Sequence, residues 1–327
     1  MIAFIFPGQG SQKVGMGRTL MDAYPEARDV FDEADAALRP TLEPDVEVCP
    51  LSTLIFDGPE RDLTLTEYAQ PAILTVSIAA YRVLAARGIT PAFVAGHSLG
   101  EYSANVAAGT IAFADAVRIV RRRGMYMQEA VPVGAGSMAA ILGLDAETVT
   151  RACQEAAEGD VVSPANINGA GQVVIAGTTA AVTRAGERAK ALGAKRVIPL
   201  AVSAPFHCAL LKPAQERLEP ELRALDVRDP RIPVVANVDA EPKRDAASAI
   251  DALVRQVSAP VRWEQVVRRL ASEGVTTYVE VGPGTVLSGL VKKIHKEATV
   301  FNFAAPDDLA ALEELSASGK FNVQSAK

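Results

Sequence analysis

The pentapeptide Gly96-His97-Ser98-Leu99-Gly100 constrains this chain more than any other stretch. An apolar run, Ala92-Phe93-Val94-Ala95, precedes it; a small-residue helical segment, Leu99 to Ala108, follows and ends at Gly109. The spacing predicts a sharp strand-to-helix turn, because glycines on either side let the backbone fold that tightly and lift the serine hydroxyl out of a sheet. Such a turn needs a strand before it and a helix after it, which points to an α/β protein. Strand-like and helical runs alternate along nearly all 327 residues, so a mostly parallel sheet is expected.

Residues 2–6 read as the first strand and Pro71 to Leu84 as an apolar central helix. The middle of the chain reads differently. Ser137 to Leu144 is strand-like and Ala146 to Ala157 helical. Val161 to Ala165 and Gln172 to Ala176 are strands separated by the turn-rich Asn166-Ile167-Asn168-Gly169. A helix over 180–192 and a strand from Lys195 to Leu200 complete β-α-β-β-α-β, the order of a ferredoxin-like module. The α/β pattern resumes with strand Ile232 to Ala236, helices near 246–257 and 263–272, strand Thr277 to Val281 and helix 285–295. The expected organisation is a discontinuous large domain, 1–130 and 205–327, with a small domain inserted at 131–204. After residue 305 come one acidic helix and a polar end.

Several functions are disfavoured by composition. The formal charge of −6, with no offsetting basic domain, argues against nucleic acid as the main partner. No apolar run approaches the roughly 20 residues needed to span a bilayer, so no membrane partner is expected. Met1-Ile2-Ala3-Phe4-Ile5-Phe6 lacks a basic leader and is cut off by Pro7-Gly8, so it reads as a core strand. Cys49, Cys153 and Cys208 are odd in number and widely spaced, without a metal-ligand pattern; a reducing cytoplasm is expected.

Serine is a poor nucleophile until a base takes its proton. The chain has three histidines. His97 adjoins Ser98, so in a sharp turn its side chain should diverge; His295 sits on a lysine-rich helix. His207 lies in Ser203-Ala204-Pro205-Phe206-His207, a proline-broken loop where the chain re-enters the large domain, and is the expected base. Nothing around Cys208 suggests an activated thiol. Acyl transfer also needs donors for a developing oxyanion. One is the N–H of Leu99; the second should come from Phe6-Pro7-Gly8-Gln9-Gly10-Ser11-Gln12, which lacks the third glycine of a dinucleotide fingerprint and the Lys-Ser/Thr pair of a P-loop. On a helix over 115–130, Arg118, Arg121 and Arg122 fall on a solvated face. Arg123 falls among Ala116, Val120, Met127 and Ala130. A buried guanidinium wants an anion, either an internal Asp or Glu or a substrate carboxylate matching its planar fork.

These residues together resemble the malonyl-CoA:acyl-carrier-protein transacylase family of bacterial fatty-acid synthesis, related to polyketide synthase acyltransferase domains. The resemblance runs over about 1–305. It rests on Phe6 to Gln12, Gly96 to Tyr102, Arg123-Gly124 with Met127-Gln128, Asn166 to Asn168 with Gln172 to Gly177, Pro205-Phe206-His207, and Gln256 with Pro260-Val261-Arg262-Trp263. It implies an α/β-hydrolase-like core carrying the ferredoxin-like insert. It further implies Ser98 as nucleophile, His207 as base, backbone N–H groups of Gln9 and Leu99 as oxyanion hole, and Arg123 as holder of the malonyl carboxylate. The main-chain carbonyl of Gln256 would orient His207, and Leu99 with the bulky Phe206 would narrow the acyl pocket towards malonyl. The implied partners are malonyl-CoA and acyl carrier protein, with no metal or redox cofactor implied and the chain itself acting as a monomer. A serine hydrolase is the main rival and a carrier-docking subunit with a relict site the non-enzyme one; a polyketide or malonate-breakdown pathway would use the same chemistry. Lys195, Arg196 and the Lys292-Lys293 run are cationic candidates for an acidic carrier.

Overall fold

The structure is a computed structural model that describes residues 1–39, 49–132, 134–202 and 204–317. Ser203 and the polar end beyond residue 317 lie outside the described residues. Two sheets organise the chain. The larger has six strands: β1 (Ile2–Phe6), β2 (Phe93–Gly96), β7 (Val234–Val235), β8 (Pro242–Lys243), β9 (Thr277–Val281) and β10 (Thr299–Phe303), in the order β10-β9-β1-β2-β7-β8. Every pairing is parallel except β7 with β8. All five residues of β1 are buried, as a strand covered on both faces requires.

The second sheet holds β3 (Gly136–Leu142), β4 (Val162–Gly169), β5 (Gln172–Thr178) and β6 (Arg196–Pro199), all antiparallel, in the order β4-β5-β3-β6. Helices Ala146–Ala156 and Thr179–Ala191 supply the crossovers, giving the β-α-β-β-α-β order read from the sequence. One reading is corrected. Asn166 to Gly169 is not the turn but the end of β4, which runs on with register shifts at Pro164/Asn166 and Ile167/Gly169; the reversal falls at Ala170-Gly171. Polar residues are tolerated in that strand because β4 also bonds outside its own sheet. Ile167 N–H donates to the Val261 carbonyl and Val261 N–H to that of Ala165, both at 2.8 Å.

The central helix is also longer than expected. It spans Thr66–Ala86, with Pro71 inside it. At 21 residues it is long and apolar enough to cross a bilayer, which overturns the expectation that no run comes close. Seventy-eight per cent of its most apolar window is buried inside the molecule, where it packs on helix Phe113–Glu129. Gly124 makes that contact possible: a Cβ there would stand 2.7 Å from the Glu67 Cα and the Thr66 carbonyl oxygen. The close approach brings the side chain before it, Arg123, against Gln70.

Candidate active site

Ligand sites in parallel α/β sheets form beyond the carboxyl ends of the strands. Three such ends converge here: the loop after β1, the turn after β2, and Asn237 just after β7. The turn is as tight as the pentapeptide implies. Ser98 has φ 52° and ψ −108°, strained for a non-glycine residue. A Cβ on Gly96 would stand 1.9 Å from the Gly100 carbonyl carbon, and one on Gly100 2.0 Å from the Phe6 carbonyl oxygen. Gly8, in the loop after β1, presses on the His97 carbonyl, whose oxygen would stand 2.4 Å from a Cβ. Gly100→Ala is therefore expected to cost about 1–3 kcal/mol through overpacking against backbone that cannot yield, seen as a lowered Tm; an unchanged Tm would show that the turn can relax.

The Ser98 Oγ lies 2.7 Å from His207 Nε2, and His207 Nδ1 lies 2.9 Å from the Gln256 carbonyl oxygen. A carbonyl only accepts, so the neutral imidazole carries its hydrogen on Nδ1 and leaves Nε2 free to take the serine proton. His207, at 3% exposure, is pushed down to about 3, first by burial and then by the Arg123 charge. It is thus a neutral base at ordinary pH. Cys208 beside it is buried, its thiol pushed up to about 11, and bonded to the Pro205 carbonyl, consistent with an inert thiol. His97 diverges as expected: its Nε2 is 2.9 Å from Asn168 Oδ1, beside Trp263.

Arg123 is 2% exposed. Its Nη1 donates to Gln70 Oε1 at 2.6 Å, and its Nη2 to Gln256 Oε1 at 2.9 Å and Ser98 Oγ at 3.3 Å. The ring of Tyr102 lies 5.3 Å below the guanidinium. Every direct acceptor is a neutral oxygen; among the described residues no carboxylate forms an ion pair with it. Arg118 and Arg122 of the same helix instead pair with Asp115 and Glu221 on a half-exposed face. The N–H groups of Gln9 and Leu99 donate to no protein group among the described residues, whereas the neighbouring N–H groups of Gly10 and Ser98 are taken by Gln12 and Asn237. Phe206, adjoining the histidine, is buried.

This geometry has counterparts. A model of the acyl transferase domain matches residues 3–311. The chain belongs to the acyl transferase family. Among relatives of this acyl transferase chain, the malonyl CoA-acyl carrier protein transacylase of Escherichia coli (strain K12) is 51% identical over 314 residues, covering 96% of this chain and 99% of that protein. Its counterpart in Bacillus subtilis is 50% identical over 309 residues, with 94% and 95% covered. An acyl carrier protein S-malonyltransferase from Vibrio cholerae superposes with TM-score 0.91 at 46% identity, over 95% of this chain and 99% of that one. A malonyl-transacylase solved with its holo type II PKS acyl-carrier protein superposes equally well, at 46% identity over 96% and 99%.

Three buried polar residues of the acyl transferase site went unread in the sequence. Gln70 lies just before the apolar run from Pro71 that the sequence marks as helix, inside the helix that the structure starts at Thr66. Asn237, fully buried, bonds Ser98 N–H and the Gly96 carbonyl, both at 2.7 Å; a polar residue at the carboxyl end of a core strand was its signal. Glu101 is 1% exposed and its carboxyl is raised to about 7, chiefly by burial. A charge on a small-residue helix, weighed as Arg123 was, would have marked it.

Proposed function

We propose that the protein transfers a malonyl group from malonyl-CoA, through an ester on Ser98, to the phosphopantetheine thiol of acyl carrier protein. Arg123 carries the reading: a buried guanidinium within reach of the nucleophile, answered only by neutral oxygens, suits an acyl group whose own carboxylate lies a short chain from the reacting carbonyl. A lipase-like hydrolase has no use for such a cation. The relatives named as malonyl transacylases, and the one solved with its carrier, support the same substrate and acceptor.

In the first half-reaction His207 Nε2 takes the Ser98 proton as Oγ bonds to the thioester carbonyl carbon. The oxygen gains charge facing the N–H groups of Gln9 and Leu99, then the C–S bond breaks and the CoA sulfur leaves with the proton from His207. In the second, the carrier thiol yields its proton to His207 and attacks the ester, and Ser98 departs reprotonated. The Gln256 carbonyl holds the imidazole where a triad would use a carboxylate, and Phe206 narrows the acyl pocket. No cofactor enters either step. The scaffold for this chemistry is an α/β-hydrolase-like core over 1–130 and 205–327 with a ferredoxin-like unit over 131–204, working as a cytoplasmic monomer.

Mass spectrometry of peptides after mixing with malonyl-CoA should find a malonyl ester on Ser98 that holo carrier protein discharges. Absence of that ester, or its discharge to water at the same rate with and without carrier, would sink the reading.

A further inference from the structure

The side chain of Gln256 sits at the centre of the site. Its Oε1 accepts from Arg123, its Nε2 donates to the Ser98 carbonyl at 2.9 Å and to Glu101 Oε2 at 2.8 Å, and its own backbone carbonyl faces His207. A primary amide can be turned either way, so its neighbours decide which end faces which. Arg123 only donates and therefore demands the oxygen. The amide nitrogen must then face Glu101, and one of its two hydrogens relies on the Glu101 carboxyl; the next acceptor, Asn237 Oδ1, is 3.4 Å away and already takes the Ser98 N–H. The same Oε2 accepts the Asn237 N–H at 3.0 Å, and Asn237 in turn holds the backbone of Ser98 and Gly96. Glu101 touches no reacting atom, yet its one oxygen holds both Gln256 and Asn237, which in turn hold His207, Arg123 and the backbone of Ser98.

We infer that Glu101 is a positioning residue, whose buried Oε2, through Gln256, aligns the general base His207 and the carboxylate anchor Arg123 together. Without that acceptor a hydrogen of Gln256 is left in a buried space with only the long 3.4 Å contact to Asn237 Oδ1, which is costly. The side chain then turns to find another partner, and its hold on Arg123 and the carbonyl under His207 shift with it. Base and anchor are therefore coupled through one residue, the anchor by its side-chain oxygen and the base by its main-chain carbonyl.

The inference rests on the malonyl reading for its anchor half only, and two reagents separate the halves. A neutral alkyl fluorophosphonate bonds its phosphorus to Ser98 Oγ as fluoride leaves with the serine proton; it needs His207 but no carboxylate anchor. Malonyl-CoA needs both. Glu101→Ala is expected to slow fluorophosphonate labelling roughly tenfold and malonyl ester formation roughly 100-fold, the extra loss appearing as a raised KM for malonyl-CoA. Glu101→Gln keeps an oxygen acceptor and should stay within about threefold of the parent with either reagent. If Glu101→Ala does not fold, Glu101→Asp serves: it keeps the charge but withdraws the acceptor by one methylene, and should show the same unequal losses. Parent-like rates for the alanine or aspartate variant, equal losses with both reagents, or a glutamine variant as impaired as alanine would overturn the inference. A parent that labels with fluorophosphonate but forms no malonyl ester would instead reject the malonyl reading, and the fluorophosphonate rates would still judge the hold on His207.

Discussion

Arg123→Ala is expected to cut malonyl loading of Ser98 by roughly 30- to 5,000-fold while acetyl loading falls less than about tenfold. Removing one partner of a desolvated, hydrogen-bonded charge pair costs about 2–5 kcal/mol, and each 1.4 kcal/mol is a factor of about ten. The acetyl arm isolates that term because acetyl has no carboxylate to hold. Some acetyl loss is still expected, since the guanidinium also donates to Ser98 Oγ and orders Gln256. Truncation strands the buried oxygens of Gln70 and Gln256, so a lowered Tm should accompany it. Arg123→Lys keeps the charge but gives up the planar fork that serves Gln70 and Gln256 at once, and should fall between parent and alanine. Single-turnover ester formation with the two thioesters is the measurement; equal losses with malonyl and acetyl would reject the anchor role.

Much of this was legible before any coordinates, for identifiable reasons. The nucleophile turn announces itself because its glycines are obligatory: the contacts of 1.9 and 2.0 Å awaiting a Cβ at Gly96 and Gly100 leave no other residue type. Arg123 was readable because helical phase set one cation among apolar side chains. His207 followed because only three histidines were available. What escaped lay where local pattern and tertiary partner part company. Asn166 to Gly169 has turn composition, yet its backbone is held in β4 by Val261, a residue nearly 100 positions away. Pro71 to Leu84 reads as the apolar helix because it carries few charges; the helix instead begins at Thr66 and carries Gln70, outside that run, to Arg123. Glu101 and Asn237 make their bonds across 136 positions of chain. No spacing rule reaches that far, and only their polarity in apolar surroundings hinted at them.

His207→Ala is expected to slow ester formation by roughly 10²–10⁴-fold, the usual contribution of a placed general base. Its pH dependence tests the electrostatics more sharply. An exposed histidine gains a proton near 6.5; this one, pushed down to about 3, stays neutral well below that. Loading at low malonyl-CoA, which reports the free protein, should therefore hold level as pH falls through 6.5 and drop only as pH nears about 3. The second cause of the depression is the Arg123 charge, and a bound malonyl carboxylate would pair with that charge. The proton affinity of His207 then rises as substrate binds, so loading at saturation should begin to fall at higher pH than loading at low concentration. For stability the sign is the same: the unfolded chain takes up a proton below 6.5 that the folded site refuses until about 3, so this residue's contribution is lost as pH falls across that window. In Arg123→Gln the positive neighbour is gone, and the low-concentration limb should move up towards 6.5. A limb unmoved by that substitution would show that burial alone, and not the arginine, sets the base.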